Sequence, residues 1–141
     1  MIMVDANILI YAFRMDTKNH YEYRTWLESS LSQETVIGIS ELVLSTVVRI
    51  VTHPRIFARP SSLDEVFEFT DFIKSCPNVI NVTAGERHWS IFQKLCRIVN
   101  AKGNMVTDSY LAALAIEKGA EWITTDRDFS RFPMLKWRSP L

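Results

Sequence analysis

Short apolar runs separated by amphipathic stretches set the rhythm of this chain. Ile2 to Val4, Thr35 to Ile39, Val79 to Val82 and Trp122 to Thr124 are too short for helices and read as strands, with Met134 to Trp137 a weaker fifth. None alternates apolar with polar positions as a half-exposed strand does. Near-continuous apolar strands are what a parallel sheet covered on both faces requires. Between them the spacing turns helical. Tyr21 to Leu31 gathers Tyr23, Trp26, Leu27 and Leu31 on one face, and Glu41 to Val51 places Leu42, Val43, Val47, Ile50 and Val51 at helical intervals behind Ser40 as N-cap. Leu63 to Ile73 follows a capping box of Ser62 and Glu65. Glu86 to Val99 and Asp108 to Lys118 complete the set, the last opened by Thr107 and stopped by Gly119. Alternating strands and helices predict an α/β fold around a mostly parallel sheet, with right-handed crossovers.

Composition changes this picture little. The 141 residues are 48% hydrophobic and 23% charged, an ordinary globular balance that excludes disorder and coiled coil. With no repeat and no linker rich in Gly, Pro or Ser, residues 1–141 are expected to form one domain. Sixteen basic and sixteen acidic residues cancel, so attraction to a polyanion must come from local patches. The apolar start is interrupted by an acid and no uncharged stretch reaches membrane-spanning length, which places the protein in the cytoplasm with no membrane role. Cys76 and Cys96 lack the spacing of a zinc site and are expected as reduced thiols.

The acids carry the chemistry. Asp5 directly follows the first strand, in apolar surroundings where a carboxylate is costly to bury without a partner. Glu41 follows the second strand and Asp126 the fourth, while Asp108 opens the last long helix. In open α/β sheets ligands bind outside the carboxyl ends of the strands, which puts Asp5, Glu41 and Asp126 on one edge. Asp108 joins them only if the fold brings its helix there. Carboxylates gathered in one crevice repel one another unless some are protonated or a cation sits among them. Oxygen donors without His or Cys favour Mg²⁺ or Mn²⁺. A carboxylate centre lacking a Gly-rich phosphate loop suggests water attacking a phosphodiester. Taken singly, each acid reads equally well as a helix cap or dipole partner, Glu41 and Asp108 most of all. The argument rests on the set.

VDANILIYAF, ISELVLSTVVRIVTHPRIF, TDSYLAALAIEKGA and ITTDRDFSRF, in this order and spread nearly end to end, together resemble the PIN-domain ribonucleases, and among them the VapC-type toxins of toxin–antitoxin pairs. The resemblance implies a three-layer α/β/α sandwich, a divalent metal (Mg²⁺, with Mn²⁺ an alternative) and endoribonuclease activity. It also implies a cognate antitoxin, a homodimer, and structured RNA such as transfer RNA as substrate. The family's acids match Asp5, Glu41, Asp108 and Asp126; Asp5 and Asp108 would be the foremost metal ligands, with Asp126 and Glu41 completing the centre directly or through water. Asn7 and Thr125 match polar positions that would support the ligands. Asp128 matches a fifth acid that would bind a second metal or cap the following segment. Ala6 departs from the Thr or Ser of many members, which removes a hydroxyl but no charged ligand.

Elsewhere the residues offer less. His53, Arg55 and Arg59 make THPRIFARP a basic loop, read either as RNA phosphate contacts or as a solvated turn closed by Pro54. Arg127 and Arg131 flank Asp128 and raise the same question. His20 and His88 read as structural, and the four tryptophans as core rather than base-stacking platforms. Two other classes compete with a nuclease: a phosphoacceptor signalling domain, which lacks its late-strand lysine here because Thr124-Thr125-Asp126 stands in that place, and a non-catalytic RNA-binding or protein-interaction module on the same scaffold.

Overall fold

The computed structural model describes residues 1–141. Strand β1 (Ile2–Val4) leads into helix α1 (Ala6–Phe13) and then α2 (His20–Leu31); β2 (Ile37–Ile39) leads into α3 (Glu41–Val51) and α4 (Leu63–Ser75). After β3 (Val79–Asn81) come α5 (His88–Val99) and α6 (Asn104–Lys118), then β4 (Glu121–Ile123), a 3₁₀ turn over Arg127–Arg131, and β5 (Trp137–Arg138). All four strand pairings are parallel and the order is β3-β2-β1-β4-β5. β1 is therefore central: Met3 pairs with Gly38 on one side and Trp122 on the other. α1 packs on α2 and α3, and α3 on α4, while α5 packs on α6. These two groups of helices and the sheet between them are the α/β/α sandwich that the resemblance implies.

Burial explains why the strands do not alternate. Met3, Val4, Ile37, Ile39, Trp122 and Ile123 are all buried, so residues on both faces of the sheet meet core. At Gly38 the layers approach so closely that a Cβ would lie 2.6 Å from Val82 Cγ2 and 3.0 Å from Met3 Cγ. No helix is long and apolar enough to cross a membrane, and both cysteines are free thiols.

Several boundaries differ from the sequence pattern for physical reasons. α1 was not among the predicted helices, because ANILIYAF is apolar all round and shows no stripe; it is buried on most sides, with Ala6, Ile8, Leu9, Ile10 and Ala12 inaccessible. α6 starts at Asn104, a full turn before Asp108, so Thr107 lies within the helix and Gly103 precedes it. α5 starts at His88 rather than Glu86, since the turn before it is tied to α6: Gly85 N–H and Arg87 N–H donate to the Glu117 carboxylate at 2.7 and 3.0 Å. The caps of α3 and α4 are as the sequence predicts: Ser40 accepts from Leu42 N–H, and Ser62 and Glu65 form a capping box.

Candidate active site

Because β1, β2 and β4 are parallel neighbours, the residues that follow them emerge on one edge of the sheet. Asp5 is the N-cap of α1, with only 9% of its surface exposed. Its Oδ1 accepts from Ala6 N–H at 2.7 Å and its Oδ2 from the Thr124 hydroxyl at 2.7 Å. Burial holds the Asp5 carboxyl above the usual carboxylate range against these two hydrogen bonds, and the charge of Asp126 pushes it the same way.

Thr124 is the hub of the site. It is fully buried, donates to Asp5, and its hydroxyl oxygen accepts from Asp126 N–H at 3.0 Å and from Asn7 Nδ2 at 3.4 Å. One hydroxyl thus fixes the first acid against the backbone of the fourth. Thr125, the hydroxyl to which the resemblance points, accepts from Asn7 Nδ2 at 3.1 Å, whereas Thr124, which the resemblance does not mark, holds Asp5. The missed signal is position: Thr124 directly follows the buried Trp122 and Ile123 of β4, where a hydroxyl must find a partner.

Asp108, on the second turn of α6, feels the charges of this edge. Its carboxyl is pushed up to about 6, by burial first and then by the charges of Asp126, Asp5 and Asp128. These four negative side chains therefore share one electrostatic neighbourhood. Asp126 also caps the 3₁₀ turn, its Oδ1 accepting from Asp128 N–H at 2.9 Å, so the capping role considered for Asp128 belongs to Asp126. Asp128 itself is exposed.

Other candidates lie apart. Glu41 opens α3 at this edge, but its Oε2 lies 2.6 Å from Lys74 Nζ, its side chain is 64% exposed, and it is absent from the charges that raise Asp108. Arg127 is exposed beside Asp126. Arg55 and Arg59 are elsewhere: the carbonyl of Arg59 accepts from Arg14 Nη1 at 2.8 Å, and Arg14 caps the far end of α1, about 13 Å of helix rise from Asp5. An RNA that meets both that loop and the carboxylates must therefore span the length of α1. Arg131 is spent on the Val99 carbonyl at 3.0 Å, and His53 Nδ1 accepts from Arg55 N–H.

The donor set suits a hard divalent cation. It is made of carboxylate and hydroxyl oxygens, burial and then neighbouring negative charge raise the carboxyls of Asp5 and Asp108, and Asn7 Oδ1 is a buried acceptor with no partner. As the side chains stand, no three acids converge on one point, and both Asp5 oxygens and Asp126 Oδ1 accept from local N–H or O–H donors.

Comparison with known proteins adds a second line. The family model described as PIN domain matches residues 2–134. Ribonuclease VapC43 of Mycobacterium tuberculosis is 39% identical over 141 residues, covering 100% of this chain and 96% of its own length. Among solved structures, VapBC2 from Rickettsia felis bound to a DNA fragment from its promoter superposes with a TM-score of 0.71 at 23% identity, covering 99% of this chain and 98% of the other. A chain of a toxin–antitoxin complex from Klebsiella pneumoniae gives 0.65 at 20% identity, covering 100% and 98%.

Proposed function

This chain belongs to the PIN domain family, and from that premise we propose that it is an endoribonuclease that hydrolyses RNA phosphodiester bonds with a divalent cation, Mg²⁺ or Mn²⁺, as the toxin of a toxin–antitoxin pair. The observation that carries the reading is the arrangement at the sheet edge, where the Thr124 hydroxyl joins Asp5 Oδ2 to Asp126 N–H and the charges of Asp126, Asp5 and Asp128 bear on Asp108. So much unneutralised charge at a sheet edge is unfavourable in itself and suits a cation. Asp5, Asp108 and Asp126 are the residues that would hold it. Once bound, the ion supplies positive charge to the phosphodiester oxygens and acidifies the attacking water.

The protein's own groups act around that centre. Ala6 N–H and the Thr124 hydroxyl fix the two oxygens of Asp5, and Thr124 ties Asp126 to it. Water then adds to phosphorus, the bond to the leaving ester oxygen breaks, and that oxygen departs with a proton. Arg127, exposed beside Asp126, is the cation we expect to meet a substrate phosphate. Structured RNA such as transfer RNA is the substrate class we favour.

A cognate antitoxin finds support in a groove of about 840 Å³ between the end of α1, α2 and α4. It is lined by Phe13, Leu27, Leu31, Phe69, Phe72 and Ile73, with Phe72 59% exposed. Open apolar grooves of this kind are where a partner's apolar side chains are buried.

The test is cleavage of total RNA with Mg²⁺ or Mn²⁺, with EDTA, and by the Asp5→Asn and Asp108→Asn variants. We expect cleavage that EDTA and either variant abolish while the fold survives. RNA binding that persists with the metal chelated, with no cleavage at any metal concentration, would instead favour a non-catalytic module.

A further inference from the structure

Glu41 has the right address and the wrong partner. It stands at the carboxyl end of β2, next to the central strand whose end carries Asp5. Yet its carboxylate is drawn to Lys74, near the end of α4, with Oε2 and Nζ 2.6 Å apart. The direction of the pull follows from the strand order. Lys74 lines a cleft of about 70 Å³ with Ile39, Val79, Ile80 and Asn81, which belong to β2 and β3. Asp5 and Asp126 follow β1 and β4, on the opposite side of Glu41. The lysine therefore draws the acid away from the carboxylate group, and Asp108 registers Asp126, Asp5 and Asp128 without it.

We propose that Lys74 is a positioning residue that holds Glu41 outside the carboxylate centre, so that Glu41 can join the centre only by giving up this ion pair. The inference rests on the reading that Asp5, Asp108 and Asp126 share a cation, and it concerns a side chain to which that reading gives no part. Both partners are substantially exposed, 41% for the Lys74 side chain and 64% for Glu41, so the lock is weak and reversible. An exposed pair of this kind alters an equilibrium by about twofold to fivefold. That is enough to tune cation affinity without blocking it.

The experiment is Mn²⁺ binding by the full-length protein, read by electron paramagnetic resonance of the free ion, for wild type, Lys74→Met, Lys74→Arg, Glu41→Gln and the Glu41→Gln/Lys74→Met double variant. Lys74→Met should tighten Mn²⁺ binding about twofold to fivefold, and Lys74→Arg, which keeps the pair, should bind as wild type does. In the Glu41→Gln background Lys74→Met should change nothing. The proposal is overturned if Lys74→Met binds Mn²⁺ no more tightly, or if it tightens binding equally without Glu41, since the lysine would then act only through its general field. Wild type that binds no Mn²⁺ removes the shared-cation reading and this inference together. Tight binding with an inert Lys74→Met removes only the inference, and the expected shifts in a protein that cuts no RNA leave it standing while the nuclease reading falls.

Discussion

Replacing Thr124 with valine removes one oxygen from a fully buried position and leaves the shape of the side chain nearly unchanged. No cavity opens, so the effect isolates the hydroxyl. That hydroxyl donates to Asp5 Oδ2 at 2.7 Å and accepts from Asp126 N–H at 3.0 Å. A hydrogen bond to a charged group contributes about 1.5–3 kcal/mol, and an orphaned buried N–H adds to the loss. Part is recovered, because Asp5 already has a raised pKa and without Thr124 it takes up a proton more readily. A net loss of about 2 kcal/mol follows, equivalent to a fall in Tm of about 6–10 °C for a chain of this size. Since Thr124 also sets the orientation of a ligand, divalent-cation affinity should drop about 10–100-fold. Thr124→Ser keeps the hydroxyl and loses a methyl, so it should cost stability while holding cation affinity near wild type. Thermal unfolding and Mn²⁺ titration of the three proteins provide the assay. A valine variant with wild-type affinity would refute the idea that this hydroxyl organises the site.

The raised Asp108 carboxyl makes stability depend on pH. A carboxyl whose folded value of about 6 exceeds its ordinary 3.8 contributes stability below pH 4 that is lost as pH rises through 6. In EDTA, Asp108→Asn should therefore exceed wild type in stability at pH 7.5 by about 1–2 kcal/mol, after allowing for solvent screening of a half-buried group. The advantage should vanish below pH 4, and a flat difference between the two unfolding curves across this range would contradict the shared field. Gly38→Ala should cost about 1–3 kcal/mol by urea unfolding, because its Cβ would lie 2.6 Å from Val82 Cγ2. Val82→Ala in the same chain should recover part of that loss, and an alanine variant as stable as wild type would show that the layers yield there.

What the sequence makes legible here follows periodicity and caps. The strand cores, α3 behind Ser40 and α4 behind its capping box could be read because each has a local signature. α1 could not, since a helix buried on most sides has no polar face to betray its period, and ANILIYAF passes for more apolar strand. The early start of α6 was hidden by Thr107-Asp108, which imitates an N-cap inside a helix. For the site, the order of acids along the chain pointed to one edge of the sheet, and Asp108 feels the charges of Asp126 and Asp5. In two cases the partner lies far away in sequence, and no local signal names it. Lys74 reaches Glu41 across 33 positions, and Thr124 reaches Asp5 across 119. The loop holding Arg55 and Arg59 supports two readings for the same reason, because its tie to the far end of α1 through Arg14 joins residues 45 positions apart.

Calorimetric titration of Mg²⁺ or Mn²⁺ into the purified protein at pH 7.5, with Asp108→Asn alongside, tests the central claim most directly. The carboxylates of Asp5, Asp108 and Asp126 are taken to require a shared dication. Saturable binding to wild type, weakened at least tenfold in a variant whose circular dichroism is unchanged, is the predicted result. Equal binding by both proteins, or none by either, would contradict it.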